Sequence, residues 1–194
     1  MTDALSLLTS RSAYLKGHFL LTSGLHSDSY VQCALALQYP DTAEQLCAAL
    51  AAKISQQLQG VKFDAVIGPA MGGLIVAQEL GRALGCRAMF MERVDGTFAL
   101  RRGFSVAPGE NLLLCEDVVT TGGSVREVAD ILVAAGMNVG AIASIVDRSG
   151  GKATFSVPFV PLISLSIPTW KPEDCPLCAQ GLAAVKPGSR GLKS

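Results

Sequence analysis

The sequence is poor in charged and aromatic side chains, and these shortages exclude several classes of protein. Only 16% of the 194 residues are charged, 6% are aromatic, and 16 basic residues balance 16 acidic ones. This balance excludes the basic surface that proteins use to bind nucleic acid or anionic membranes. The chain also lacks an apolar run of about 18 residues, the length that a membrane-spanning helix requires. We therefore expect no nucleic acid and no membrane among its partners.

The N-terminal residues lack the pattern of a secretory signal, because the first basic residue, Arg11, follows the apolar stretch instead of preceding it. The six cysteines are mostly scattered among apolar neighbours, as buried free thiols are. Both observations favour a cytoplasmic, reducing location. The charged fraction lies below the usual value of about 25%, which indicates that extra surface is buried in an oligomer.

Short apolar runs alternate with amphipathic segments along the chain. Five runs have the length and composition of buried strands, near residues 65–73, 87–91, 112–117, 141–147 and 160–167. Helical spacing marks the segments between them, and the clearest helix opens at Pro40 and ends at Gly60. We predict an α/β fold with a doubly wound, mostly parallel five-stranded sheet and helices on both faces.

The remaining segments complete a single predicted domain over residues 1–194. Leu5, Leu8 and Leu15 have helical spacing within residues 3–16, and short extended pieces follow. Residues 1–39 are expected to form an N-terminal elaboration, residues 40–168 the core and residues 169–194 a tail. Residues 92–110 fit neither periodic template, so we expect a hairpin or a mobile loop there.

Residues 112–125, LLLCEDVVTTGGSV, are the most informative segment. Its apolar strand ends in two adjacent carboxylates, Glu116 and Asp117, which can accept hydrogen bonds from vicinal sugar hydroxyls. The Thr-Gly-rich turn that follows can bind a phosphate, since the N-terminus of a helix offers unpaired N–H donors and a positive dipole end. The acid pair and this phosphate-binding turn, called the phosphate turn below, together predict a site for a ribose 5-phosphate. The alternative is an ordinary Thr or Ser helix cap.

The same segment resembles the phosphoribosyl diphosphate (PRPP) motif of type I phosphoribosyltransferases. The order of GHFLLTSGLHSDSY, GPAMGGLIVAQELGRALG and IVDRSGG also resembles the orotate phosphoribosyltransferase family. This resemblance covers about residues 14–151. It implies the type I fold with a small N-terminal hood, a cytoplasmic homodimer and transfer of a phosphoribosyl group from PRPP to orotate with Mg²⁺. The products would be orotidine 5′-phosphate and diphosphate, in pyrimidine (UMP) synthesis.

The resemblance also implies a role for individual residues. Thr120 and Arg148 would contact orotate, and a guanidinium fork suits the carboxylate of that base. Mg²⁺ would be held mainly by the substrate, so no protein ligand for it is certain. The residues expected to bind PRPP are Glu116, Asp117, Val118, Val119, Thr120, Thr121, Gly122, Gly123 and Ser124. The residues expected to face the diphosphate are Gly68, Pro69, Ala70 and Met71.

Two departures from the family pattern bear on the site. Thr22 stands before Ser23-Gly24, where the family often has Lys, so a cation is missing there. Residues 92–104 contain no Lys or His, although the mobile loop of the family often carries both. The hypothesis is that arginines of this segment clamp the diphosphate as catalytic groups, with a partner subunit contributing; the alternative is a solvated charged hairpin. These arginines are Arg93, Arg101 and Arg102.

Two other functions remain compatible with the sequence. A phosphoribosyltransferase for another nucleobase would leave Arg148 without a carboxylate to bind. A PRPP-sensing regulator of the same fold would keep the phosphate turn and lack turnover.

His18 and His26 are expected to have structural roles, because no third ligand is spaced to complete a metal site. Cys175 and Cys178 have zinc-ligand spacing without a visible second pair, so they form a half-site completed by a dimer mate, a redox pair, or neither.

Overall fold

The computed structural model describes residues 3–21 and 23–187, so Thr22 lies outside the described residues. They form two compact units, one of residues 37–165 and one that combines the described residues before position 37 with those after position 165. The strands are β1 (Tyr14–Leu20), β2 (His26–Val31), β3 (Ala65–Pro69), β4 (Arg87–Val94), β5 (Thr97–Leu100), β6 (Asn111–Val119), β7 (Asn138–Asp147), β8 (Phe159–Ser164) and β9 (Thr169–Trp170). The helices are α1 (Ala4–Ser10), α2 (Ala34–Leu37), α3 (Pro40–Gln57), α4 (Gly72–Leu84), α5 (Gly123–Ala134) and α6 (Pro176–Ala179), with a 3-10 turn at Pro172–Asp174.

The larger unit contains a six-stranded sheet in the order β5-β4-β3-β6-β7-β8. Its five strands β4, β3, β6, β7 and β8 pair in parallel, which confirms the predicted parallel sheet. The sixth strand, β5, pairs antiparallel with β4. Residues 92–110 therefore begin as a hairpin, and its turn residues Asp95 and Gly96 both have positive φ, as tight hairpin turns require.

The order of the strands locates a binding crevice. The chain passes from β3 through α4 to β4 on one side, and from β6 through α5 to β7 on the other. Connections that leave neighbouring parallel strands in opposite directions open a crevice at the carboxyl ends of those strands. Below it the strands form the core, where Ile67, Leu112, Leu114 and Ile142 are almost completely buried.

The helices of this unit follow from their apolar faces. Helix α3 buries Ala43, Leu46, Leu50 and Ile54, which recur at helical spacing. Helix α4 ends at Leu84, because Gly85 caps it in the left-handed conformation with φ of 70°. In the described part of the chain, no helix combines the length and the hydropathy that a membrane crossing would need.

The smaller unit contains an antiparallel sheet in the order β1-β2-β9. Its first helix is shorter than the spacing of Leu5, Leu8 and Leu15 predicts, because α1 ends at Ser10 and Leu15 lies in β1. The helical interpretation was wrong beyond Ser10, since pairing with β2 outweighs a spacing of only three leucines. The elaboration and the tail belong to one unit, joined by the pairing of β2 with β9. The prediction of one domain over residues 1–194, made of an elaboration, a core and a tail, stays a prediction.

Candidate active site

Two half-buried carboxylates stand near the carboxyl end of β6. Asp117 accepts a hydrogen bond from the backbone N–H of Val118 at 2.8 Å, and Glu116 accepts one from the N–H of Asp117 at 3.3 Å. Burial, and then the negative charge of Asp117, raise the pKa of Glu116 to about 8. Crowded carboxylates of this kind are stabilised by a ligand that brings hydroxyl donors or positive charge.

The turn after β6 presents hydrogen-bond donors to solvent. Thr120, Thr121 and Ser124 are exposed. Helix α5 begins at Gly123, and its N-cap is Gly122 with no side-chain cap. The N-cap residue is thus neither Thr nor Ser, although the hydroxyl of Thr121 accepts the N–H of Gly123 at 3.3 Å. The first N–H groups of this 12-residue helix point toward the turn. Such a helix end attracts a phosphate group.

Glu116 of the acid pair and the turn line one open cleft of about 400 Å³. A volume of this size is sufficient for a sugar phosphate. The cleft is lined by Arg93, Glu116, Val118, Val119, Thr120, Thr121, Gly122, Gly123, Ser124, Val125 and Glu127. Nearly all of the segment that was predicted to bind PRPP thus faces a single cavity.

The predicted diphosphate loop, Gly68–Met71, lies at the carboxyl end of β3, where the Ala70–Met71 peptide bond is cis. Ala70 donates its N–H to the carbonyl of Met91 at 2.8 Å, and Met71 is 82% exposed. The next residue, Gly72, packs against the acid pair, because a Cβ there would lie 2.6 Å from Oδ1 of Asp117. The structure therefore brings this loop beside the carboxylates.

Arg148 directly follows β7, the strand that pairs with β6. Its N–H donates to the carbonyl of Val119 at 2.8 Å, which places its backbone beside the start of the Thr-Gly turn. The preceding residue, Asp147, is buried and accepts the N–H of Ser149 at 2.8 Å. Arg148 is thus anchored at the same edge of the sheet as the acid pair.

The three arginines of residues 92–104 have different surroundings. Arg93 lines the cleft, where it forms two hydrogen bonds with Glu127 at 2.7 and 3.1 Å and stacks on Phe98 at 4.0 Å. Arg102 pairs instead with Glu92 at 3.0 Å, and Arg101 lies 3.9 Å from the same carboxylate. Of these three described arginines, Arg93 is the one that lines the cleft with Glu116 and the turn.

Sequence reasoning missed two residues that support the turn. Arg126 donates to the carbonyl of Thr154 at 3.0 Å and lies over the ring of Phe155 at 5.2 Å. A Cβ at Gly122 would lie 2.7 Å from that ring, so the phenyl group packs directly on the turn. Phe155 belongs to an irregular segment before β8, where no periodic pattern could have identified it.

Comparison with known proteins agrees with this geometry. The model of the phosphoribosyl transferase domain family matches residues 37–176, so the chain is a phosphoribosyltransferase. It is 55% identical over 189 residues to orotate phosphoribosyltransferase of Heliobacterium modesticaldum, with 97% of each chain covered. The Thermotoga maritima enzyme of that name is 48% identical over 187 residues, covering 96% of this chain and 98% of the relative. The chain belongs to the orotate phosphoribosyltransferase family.

Solved structures show the same fold. Orotate phosphoribosyltransferase of Aeropyrum pernix superposes with a TM-score of 0.65 at 27% identity, covering 83% of this chain and 93% of that one. The Mycobacterium tuberculosis enzyme, solved with inorganic phosphate, gives a TM-score of 0.68 at 21% identity, with 86% and 98% covered. The expected type I fold is therefore confirmed, with a sheet of six strands instead of five.

Proposed function

We propose that this chain transfers the phosphoribosyl group of PRPP to orotate, forming orotidine 5′-phosphate and diphosphate in pyrimidine synthesis. The observation that carries this proposal is one cleft lined by Glu116 of the acid pair and by the turn at the N-terminus of α5. Relatives about 50% identical over nearly the whole chain support orotate as the acceptor. They give no support to another nucleobase or to a regulator without turnover.

PRPP is proposed to lie along the turn after β6. The carboxylates of Glu116 and Asp117 accept hydrogen bonds from the two ribose hydroxyls. The N-terminus of α5 and the exposed hydroxyls of Thr120, Thr121 and Ser124 bind the 5′-phosphate. In this pose the anomeric carbon and the diphosphate extend toward Gly68–Met71, because Gly72 contacts the acid pair.

Orotate is proposed to bind where β6 and β7 end. Arg148 forms a bidentate pair with the carboxylate of the base, and Thr120 contacts the ring from the neighbouring turn. The hydrogen bond from the backbone N–H of Arg148 to the carbonyl of Val119 holds the main chain of Arg148 beside the end of β6. A purine lacks that carboxylate, so the same arginine would select against purine bases.

The reaction is a substitution at the anomeric carbon. The bond from N1 of orotate to that carbon forms while the bond to diphosphate breaks, and diphosphate leaves with the electron pair. No protein nucleophile is needed, so this chain contributes by orienting both substrates and by stabilising charge. Mg²⁺ is proposed as the cofactor: it would neutralise the leaving diphosphate, and the oxygen donors of Glu116 and Asp117 suit this hard cation.

The hairpin of β4 and β5 is proposed to close over the diphosphate and exclude water. Arg93 supports this because it lines the cleft, whereas Arg101 and Arg102 are exposed and pair with Glu92.

A homodimer is part of the proposal, supported by the exposed apolar side chains of Met71 and Ile75 one turn apart at the start of α4. The cytoplasm is the proposed location, since all six cysteines are free thiols.

Turnover tests the proposal directly. Purified protein with PRPP, Mg²⁺ and orotate is expected to consume orotate, followed by its absorbance, while uracil, hypoxanthine and xanthine stay unused. Arg148→Ala should reduce kcat/KM for orotate by about 100-fold or more, since a bidentate charge pair is lost. Arg87→Ala is the matched control, because this exposed arginine pairs with Glu110 at the opposite, amino end of β4. Arg93→Ala should lower turnover if the hairpin clamps diphosphate.

Two outcomes would contradict the proposal. Equal turnover of another base would remove orotate as the specific acceptor. Full activity of Arg148→Ala would remove that residue from the orotate site.

A further inference from the structure

The smaller unit contains a cluster of nitrogen and sulfur atoms that the transferase reaction does not use. Its members come from both ends of the chain, two from the first hairpin and two from the tail. Their ligand atoms all lie within 4.8 Å of one another. We call them the His–Cys cluster: His18, His26, Cys175 and Cys178.

Backbone pairing brings these residues together. His26 opens β2 and pairs with Trp170 of β9, five residues before the first cysteine of the cluster. The tail returns to β1, where Val185 donates its N–H to the carbonyl of His18 at 2.8 Å. The cluster is therefore built into the folded unit by main-chain hydrogen bonds, and it needs no second subunit.

A strand irregularity directs His18 inward. The β1–β2 pairing shifts register between Lys16 and Phe19, and both His18 and Phe19 are buried although they are adjacent. A regular strand sends adjacent side chains to opposite faces, whereas a bulge turns one of them. This backbone feature brings the imidazole to the cluster.

Three of the distances between the ligand atoms match those around a tetrahedral ion. Metal bonds of about 2.0–2.3 Å to nitrogen and sulfur place neighbouring ligands roughly 3.3–3.8 Å apart. Nε2 of His18 lies 3.4 Å from Sγ of Cys175 and 3.8 Å from Sγ of Cys178. Nδ1 of His26 lies 3.3 Å from the latter sulfur. The two ring nitrogens, 2.8 Å apart, would separate slightly around an ion.

The imidazole of His18 is already held in the tautomer that a metal requires. Its Nδ1 lies 2.8 Å from the carbonyl oxygen of Leu182, which can only accept, so Nδ1 carries the proton. The lone pair of Nε2 therefore faces the other three ligand atoms. A second hydrogen bond of this kind, to a backbone carbonyl, is usual for histidines that bind metals.

The chemistry of the donors selects the metal. Two thiols separated by two residues at the start of a helix, with two imidazoles, are the donor set of closed structural zinc sites. Three of the four residues are at most 8% exposed, so the cluster leaves no open coordination position for the water that a catalytic zinc ion binds. We propose that the His–Cys cluster binds one structural Zn²⁺ ion that links the N-terminal hairpin to the C-terminal tail.

The small core of this unit explains the need for such a link. Its buried apolar side chains are few, and small units with little apolar burial commonly depend on metals or disulfides. Among the described residues they are Leu8, Ala13, Phe19, Leu21, Val31, Cys33, Ala36 and Cys175. Zinc would therefore stabilise the hairpin and tail, and the larger unit would keep its own core without it.

Metal content tests the proposal without reference to activity. The full chain, purified under reducing conditions from zinc-sufficient cells, is expected to retain one zinc per chain by mass spectrometry after dialysis. Cys178→Ser should lose most of this zinc and still fold, because Cys178 is exposed. Cys86→Ser is the matched control, since that thiol belongs to the larger unit and should leave the zinc content unchanged.

Cobalt provides a second measurement on the unaltered chain. Co²⁺ bound to two thiolates and two imidazoles is expected to give the intense visible bands of tetrahedral coordination, together with thiolate-to-cobalt absorption in the near ultraviolet. A weak octahedral spectrum with no zinc in the purified protein would overturn the proposal. So would a Cys175–Cys178 disulfide in the protein as isolated from reducing cells, or iron in place of zinc.

Discussion

The raised pKa of Glu116 predicts a specific dependence of stability on pH. Burial first, and the charge of Asp117 second, raise the pKa of this carboxyl from its ordinary 4.5 to about 8. The folded protein therefore binds a proton on Glu116 between these pH values that the unfolded chain has released. Stability is then greatest below about pH 4.5 for this group and falls as pH rises toward 8.

The substitution that isolates this effect is Glu116→Gln. Glutamine keeps the shape of the protonated acid and cannot ionise, so the variant should not lose stability over this pH range. Each pKa unit corresponds to about 1.4 kcal/mol, so the shift is worth up to about 5 kcal/mol at pH 9. We expect the variant to be more stable than the native chain at pH 9 by a few kcal/mol, and by much less at pH 5.

Urea unfolding at pH 5, 7 and 9, without substrate or divalent cations, measures this difference. Asp130→Asn is the control, since Asp130 is an exposed acid on α5 and its loss should leave the pH dependence unchanged. A difference between Glu116→Gln and the native chain that is the same at pH 5 and 9 would refute the reasoning. It would show that the carboxyl is already ionised in the folded protein at low pH.

Two glycine substitutions test the geometry of the cleft. Gly72→Ala places a Cβ 2.6 Å from Oδ1 of Asp117, so the carboxylate must move. Because a displacement of about 1 Å in a site costs about 100-fold in rate, we expect kcat/KM for PRPP to fall by about 100-fold, with thermal stability nearly unchanged. Native kinetics of this variant would refute the proposed position of Gly72 beside the substrate. Gly122→Ala meets Phe155 at 2.7 Å as well as an unfavourable φ of 77°, whereas Gly136→Ala has only the unfavourable φ of 80°. We expect Gly136→Ala to cost about 1–2 kcal/mol in urea unfolding and Gly122→Ala clearly more; equal losses would show that the phenyl ring does not brace the turn.

The larger unit could be predicted well from the sequence because its signals are local. Continuous apolar runs marked the five parallel strands. In a parallel sheet, polar residues at the carboxyl ends of strands lie at one edge, so Glu116 and Arg148 could be expected at the same edge, whereas the orotate-binding role of Arg148 was implied by the family resemblance. Strand β5 was predicted only as part of a hairpin or a mobile loop, because its four residues carry no clear periodicity.

The tertiary structure decided what depends on contacts between distant residues. The sequence by itself determined the individual strands of the parallel sheet, the acid pair and the Thr-Gly turn, because each of these is encoded in a few consecutive residues. Only the fold placed Phe155 against Gly122, since that contact depends on how an irregular segment packs. Likewise, His18 and Cys175 are 157 residues apart, and no local pattern indicates that a strand bulge and the pairing of β2 with β9 bring them together. Long-range pairing is chosen by the whole chain, so the His–Cys cluster became visible only in three dimensions.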